Sequence, residues 1–185
     1  MLSSLNSPRV AAVHLSACHA FSKQISTEIE LVAGQGVLGD AHFGARVQHL
    51  SRVAKDPTQP NLRQVHLLNE ELLSALRDQG FDIAPGQMGE NITTHNLDIL
   101  GLSAGAKLQV GARAILRVTG LRNPCAQIER FHPSLLAAVL GRTEDGALVR
   151  KAGVMCVVEL GGKVRAGDSI VVIAPSGRHV PLQPV

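Results

Sequence analysis

The sequence predicts a mainly β fold: a largely antiparallel barrel or sandwich with two or three short helices inserted. Three observations lead there. Short runs rich in Val, Ile, Leu and Thr, several of them alternating, recur along most of the chain. Helical start and stop signals are few. The strands also fail to alternate regularly with helices, as a parallel α/β sheet would require.

The strand runs are Val10–Ser16, Thr27–Val32, Gln64–Leu68, Lys107–Val110, Arg113–Thr119, Val154–Leu160 and Ser169–Ile173. Arg113 and Arg117 lie an even number of residues apart, which puts both on the solvent face of a half-exposed strand. Gly111 marks a hairpin between two runs, and Lys163–Asp168 reads as a turn before a closing strand. The clearest helix starts at Asn69 as N-cap, with Glu70 and Glu71 in the dipole-favoured first turn. Its apolar positions are Leu72, Leu73 and Leu76, and Gly80 stops it. A second helix is expected from near Pro133 to Gly141, and a shorter one over Ala126–Arg130. The stretch Gln48–Asn61, with two X-Pro pairs, reads as a long loop. Residues 8–174 make one domain, and 175–185, without periodicity, a loosely ordered tail. No internal repeat is present.

Composition bounds the function. At 185 residues, 45% apolar and 18% charged, the chain can bury a real core and is not built for disorder. Aromatics are 2%, with no Trp or Tyr, so stacking platforms for single-stranded nucleic acid are lacking and no nucleic-acid partner is expected. The net charge is +3, carried by 13 Arg and 5 Lys. Arg forks suit oxyanions, although codon usage in a GC-rich genome yields the same bias. Three cysteines, Cys18, Cys125 and Cys156, form no CxxC pair, which excludes a disulfide framework and fits a reducing compartment. No apolar run is long enough to span a membrane. Arg9 and the small residues of Ala17–Ala20 mimic a secretory signal, but His14 interrupts it and Val10–Ser16 reads as a strand. The expected location is the cytoplasm.

Four segments carry candidate chemistry. Gly34–Gly39 spells GxGxxG after a strand, the pattern of a dinucleotide-binding turn. No helical periodicity follows it, so a turn between two strands is the better reading. Asp40, His42, His49 and His66 offer metal-ligand types without metal-ligand spacing, and His66 reads as a strand histidine with its own partners. Pro85–Thr93 is a Gly-rich loop that presents Glu90 and Asn91 side by side, either toward a ligand or toward its own backbone.

Arg122-Asn123-Pro124-Cys125 is the most informative segment. It places a thiol at the start of a helix with a guanidinium nearby, a setting that favours thiolate, the form that binds soft metals or carries sulfur. Cys18 and Cys156 fit the ordinary role of a cysteine as a small buried hydrophobe.

Taken together, Gly39-Asp40-x-His42, Gln64-Val65-x-Leu67-Leu68, Pro85-Gly86-x-x-Gly89-Glu90-Asn91-Ile92, Gly105…Gly111, Thr119-x-x-Arg122-x-Pro124-Cys125 and Gly162-x-Val164-x-x-Gly167-Asp168 resemble the MOSC family. That family is named for its kinship with the C-terminal domain of molybdenum cofactor sulfurases. The resemblance covers about residues 8–173. It implies a MOSC-type β-barrel and a molybdenum cofactor (molybdopterin), with Cys125 as metal ligand or sulfur carrier. It further implies that Asp40, His42, Glu90 and Asn91 face the pterin, and that Arg122, Arg150 and Lys151 suit its phosphate.

Two functions stay open. One is an oxidoreductase that reduces N-hydroxylated small molecules with electrons from a separate protein. The other is a carrier of sulfur (as persulfide) or of cofactor, served in trans by a pyridoxal phosphate-dependent donor.

Overall fold

The chain, in a computed structural model that describes residues 7–185, is mainly β with short helices. In chain order the first half holds β1 (Arg9–Leu15), β2 (Gln24–Ser26), β3 (Ile29–Val32), β4 (Gly36–Val37), α1 (Leu50–Val53), β5 (Val65–Asn69), α2 (Glu70–Asp78) and β6 (Ile92–His95). The second half holds β7 (Lys107–Val110), β8 (Ala114–Leu121), α3 (Ala126–Phe131), α4 (Leu135–Ala138), β9 (Leu140–Arg142), β10 (Leu148–Arg150), β11 (Val154–Leu160), β12 (Gly162–Val164) and β13 (Ile170–Ile173).

Eight strands form one sheet in the order β13-β7-β8-β11-β5-β6-β1-β2; β12-β3-β4 form a second sheet and β10-β9 a hairpin. All pairs are antiparallel except β5 with β6, which run parallel because α2 carries the chain across between them. The two ends of the large sheet approach each other. Arg9 bridges Ser169, Val10 N donates to Asp168 O at 2.8 Å and Ile170 N to Pro8 O at 2.9 Å. This is an isolated bridge, and among the described residues no continuous ladder closes the sheet.

Alternation in the sequence becomes two cores. Along β8, Ala114, Leu116 and Val118 are buried while the residues between them are half-buried, the period-2 pattern of a strand with one apolar face. Successive residues Leu67 and Leu68 of β5 are both fully buried yet belong to different cores, one on each face of the sheet. The first core joins Val13, Leu67, Ile92, Leu116 and Cys156. The second seats α2, α3 and α4 on the other face through Leu68, Leu73, Leu76, Ile128 and Leu135. Each such side chain contributes about 1.5–3 kcal/mol of hydrophobic stabilisation, so α3 is held in place by Ile128 despite its shortness.

Some local expectations are revised. The helix expected up to Gly141 ends at Ala138, because Leu140–Arg142 pairs with Leu148–Arg150 as a hairpin. The long loop contains the single turn α1. Ile92 and Thr93, read as the end of a loop, instead open β6, a strand whose own sequence gives little alternation. The tail docks against β8: Leu121 N donates to Gln183 O at 2.8 Å, Val180 N donates to Ser103 Oγ at 3.0 Å and Leu182 is buried. The GxGxxG segment turns between β3 and β4, with Gly34, Gly36 and Gly39 at positive φ and no helix after it.

Candidate functional site

A cavity of about 520 Å³ opens where the chain leaves β8. Arg122 N donates to Gly153 O at 2.9 Å, extending the strand pairing one residue beyond β8 before Asn123 and Pro124 turn the chain away. Cys125 follows in extended conformation as N-cap of α3, and its half-exposed Sγ lies 3.6 Å from Gln127 Oε1. Buried Ile128, one turn on, fixes its position.

Arg122 is half-buried. Its Nη1 donates to Met88 O at 2.7 Å, and the guanidinium carbon lies 5.5 Å from the centre of the Phe21 ring, within cation–π range. Burial lowers its pKa, while the Cys125 and Glu90 charges oppose that shift. The guanidinium and the thiol therefore share one electrostatic neighbourhood.

The wall formed by the turn after β4 is a closed network. The Asp40 carboxylate pairs with the Lys23 ammonium, and both are buried. It also accepts from His42 N at 2.9 Å, Asn91 Nδ2 at 3.1 Å and Ser16 N at 3.2 Å. Burial alone would raise Asp40. The hydrogen bond with His42 and the Lys23 ammonium outweigh it and hold the carboxyl well below the usual range. Asn91 is spent in the same network, its Oδ1 accepting from His66 N at 3.2 Å. His66 Nε2 bonds Ala152 O at 2.8 Å, and burial together with the Arg122 charge pushes its pKa down to about 3, so it lines the cavity as a neutral ring. Gly89, at φ +83°, also lines the cavity; a Cβ there would stand 2.5 Å from Phe21 O, so only glycine lets the two loops meet.

Of the residues singled out in the sequence, Cys125, Arg122, Asn123, His42, His49, His66 and Asn91 line the cavity. Asp40 stands behind Lys23 and His42. Glu90 does not line the cavity: it is fully buried, its Oε1 accepting from Gly86 N at 2.5 Å and Thr93 Oγ1 at 3.0 Å, and desolvation raises its pKa. It braces the Pro85–Gly89 turn from within. Arg150 and Lys151 also lie outside the lining. Arg150 Nε donates to Asn123 Oδ1 at 3.2 Å, and the Lys151 side chain lies against Gly141. Cys18, expected to be buried, is exposed, whereas Cys156 is buried and its thiol is pushed up by desolvation.

Sequence reasoning missed Lys23, Arg52, Lys55 and Arg63, all of which line the cavity. The available signal was slight: a run of cations flanking a long loop. Among the described residues no Asp or Glu side chain lines the cavity, and Arg63 Nε is buried without a hydrogen-bond partner. His19, His42 and His49 form a chain of rings with centroids 5.2 and 6.4 Å apart. Among the described residues, no group of three His, Cys, Asp or Glu is placed to hold a metal ion. A half-exposed thiol beside a guanidinium, in a cationic cavity free of carboxylates, fits an anionic group that brings its own soft metal.

A profile of the MOSC domain matches residues 39–171. The YuaD protein of Bacillus subtilis strain 168, named for metal-sulfur cluster biosynthesis, is 28% identical over 149 residues, which is 74% of this chain and 76% of YuaD. The crystal structure of B. subtilis YuaD superposes with a TM-score of 0.73 at 23% identity, covering 92% of this chain and 97% of YuaD. YiiM from Geobacillus stearothermophilus superposes with a TM-score of 0.66 at 16% identity, covering 94% of this chain and 79% of its own. For YiiM from Escherichia coli the TM-score is 0.60 at 18% identity, with 91% and 71% covered. The structural matches, all below 25% identity, bear on the fold.

Proposed function

This chain belongs to the MOSC domain family, and on that premise we propose that it binds the molybdenum cofactor in the cavity beside Cys125 and reduces N-hydroxylated small molecules. The observation that carries this reading is a cavity of about 520 Å³ lined by cations and no carboxylate, with a half-exposed thiol on its wall. When bound, the cofactor supplies two-electron removal of oxygen from the substrate, and the electrons come from a separate protein. Cys125 offers the sulfur ligand. Arg122, fixed by Met88 O and Phe21, places a positive charge beside it. Neutral His66 and the Lys23–Asp40 pair give the cavity a rigid polar wall that orients the ligand without moving. The approach of the two ends of the large sheet supports a MOSC-type barrel as the frame. We place the protein in the cytoplasm, and no described helix is long and apolar enough to cross a membrane.

A second reading has its own support. YuaD is named for metal-sulfur cluster biosynthesis, and Cys125 is open enough to hand a persulfide to a partner protein. In that case a pyridoxal phosphate-dependent donor loads the sulfur in trans.

The test is metal and pterin analysis of protein purified from a host that makes the cofactor. Molybdenum with extractable pterin on the wild type, lost in Cys125→Ser and reduced in Arg122→Gln, supports the enzyme. A persulfide on Cys125 with no molybdenum supports the carrier. Finding neither on folded wild-type protein overturns both.

A further inference from the structure

We infer that His42, held in place by Asp40, is the group through which protons enter the chemistry of the cavity. The inference rests on the reductase reading, because removing oxygen from an N-hydroxylated compound takes up protons as well as electrons. As the N–O bond breaks, two electrons arrive from the separate electron-transfer protein and two protons are consumed. The hydroxyl leaves with one proton as water, and the other proton stays on the nitrogen. His42 Nε2 supplies the proton that makes the water. Solvent restores it through the exposed His19, whose ring stands edge-on to His42 with centroids 5.2 Å apart.

The cavity leaves few other candidates. Among the described residues no Asp or Glu side chain lines it. Arginine does not give up its proton near neutral pH. The Lys23 ammonium is buried on the Asp40 carboxylate, and losing its proton would leave that carboxylate buried and unpaired. Lys55 is exposed, and no ion pair among the described residues orients it. His66 is pushed down to about 3 by burial and then by the Arg122 charge, and its Nε2 is spent on Ala152 O. His49 is lowered by burial first and then by neighbouring charges, Arg63 ahead of the others. Cys125 is taken as the sulfur ligand.

His42, by contrast, has a carboxylate behind it. Asp40 Oδ1 lies 3.2 Å from His42 Nδ1 and also accepts from His42 N at 2.9 Å. The backbone bond by itself holds the turn, so the second contact serves the ring. A carboxylate only accepts, so Nδ1 carries the hydrogen and Nε2 is the nitrogen left to exchange a proton. Among the described residues no hydrogen bond engages Nε2, and the side chain, which lines the cavity, is 28% exposed. Asp40 is locked in turn by Lys23 and Asn91. The other groups facing the ring are His19 and His49, with Arg52 and Arg63 lining the adjoining recess that His42 also borders. A ring aimed by a buried carboxylate, with its far nitrogen open to a cavity, is the arrangement of a general acid. Asp40 is the positioning residue, and His42 Nε2 is the atom that meets the substrate.

The test uses the full chain purified with its cofactor from a host that makes it, with benzamidoxime as substrate and reduced methyl viologen as electron source. His42→Gln keeps an N–H for Asp40 but has no proton to give, and His42→Ala opens the space. Both should keep the thermal midpoint and molybdenum content of the wild type and lose about a hundredfold or more in kcat with KM little changed. Imidazole added to His42→Ala should restore turnover, with rates that follow acid strength across substituted imidazoles, as a mere filler of the space would not. In the ligand-free full chain, NMR of the histidine rings should show His42 as the Nδ1–H tautomer, gaining its second proton at Nε2 as pH falls. Wild-type turnover in both variants, molybdenum lost in step with activity, or a ring in the Nε2–H tautomer overturns the inference while the reductase reading stands. A wild type without molybdenum or turnover overturns that reading and the donor role together.

Discussion

Two walls of one cavity carry buried or half-buried positive charge and treat it in opposite ways. On the Asp40 wall, the Lys23 ammonium meets a carboxylate whose remaining capacity is filled by His42, Asn91 and Ser16. On the Arg63 wall, two guanidiniums and a histidine line the cavity, and among the described residues no Asp or Glu side chain lines it with them. The first wall is finished by folding. The second leaves Arg63 Nε buried without a hydrogen-bond partner. Rigidity and ligand demand are thus separated in space, so the cavity keeps its shape while one side stays available for an anion.

The strongest way to break this comparison is to unfinish the first wall. Asp40→Asn leaves the buried Lys23 ammonium without its countercharge, and loss of one partner of a buried pair costs about 3–5 kcal/mol. Urea denaturation should show that loss. A change below about 1 kcal/mol would mean the network is ornamental.

Acid probes the neutral histidines that back the same wall. His14 is fully buried, neither ring nitrogen has a partner, and desolvation followed by the Lys23 charge lowers its pKa to about 4. His66 is lowered to about 3. Both lie below the unfolded value of about 6.5, so between those limits the unfolded chain binds more protons than the native one. Stability should therefore fall as pH drops from about 6.5 toward 4, by up to roughly 3 kcal/mol from His14 alone. His14→Leu should flatten that slope, and a flat wild-type profile over this range would contradict the burial argument.

The cysteines sharpen the contrast between packing and availability. Cys156→Ser puts a hydroxyl into the first core and should cost about 1–3 kcal/mol if it finds no partner. Cys125→Ser, at a half-exposed N-cap, should stay within about 0.5 kcal/mol. Alkylation of the native protein should label Cys125 and Cys18 and spare Cys156. A fast-reacting Cys156 would sink the assignment of Cys125 as the working thiol.

The smallest effect is expected on the unfinished wall. Arg52→Gln should leave the thermal midpoint of the ligand-free protein unchanged or raise it slightly, because it removes repulsion and breaks no pair. A marked loss of stability would show that Arg52 is structural and that the two walls differ less than their charges imply.

The sequence by itself determined what local pattern can encode. Period-2 alternation announced β8, because a strand with one buried face must alternate, while short apolar runs announced β1 and β11. The two glutamates and Gly80 announced α2, whose N-cap Asn69 makes no side-chain cap bond, and Arg122-Asn123-Pro124-Cys125 announced a thiol at a helix start, since helix-dipole charge and turn chemistry act within a few residues. Only the tertiary structure decided which charges meet. Lys23 reaches Asp40 across 17 positions and Asn91 reaches it across 51, and no spacing rule spans such separations. It also turned Glu90 inward while its neighbour Asn91 faces the cavity, a choice fixed by how the loop docks on β1 and α2 rather than by either residue's type. Arg63 looks in the sequence like any surface arginine. What sets it apart is a buried Nε without a hydrogen-bond partner, and that is a property of the assembled space, because it depends on every segment that packs there.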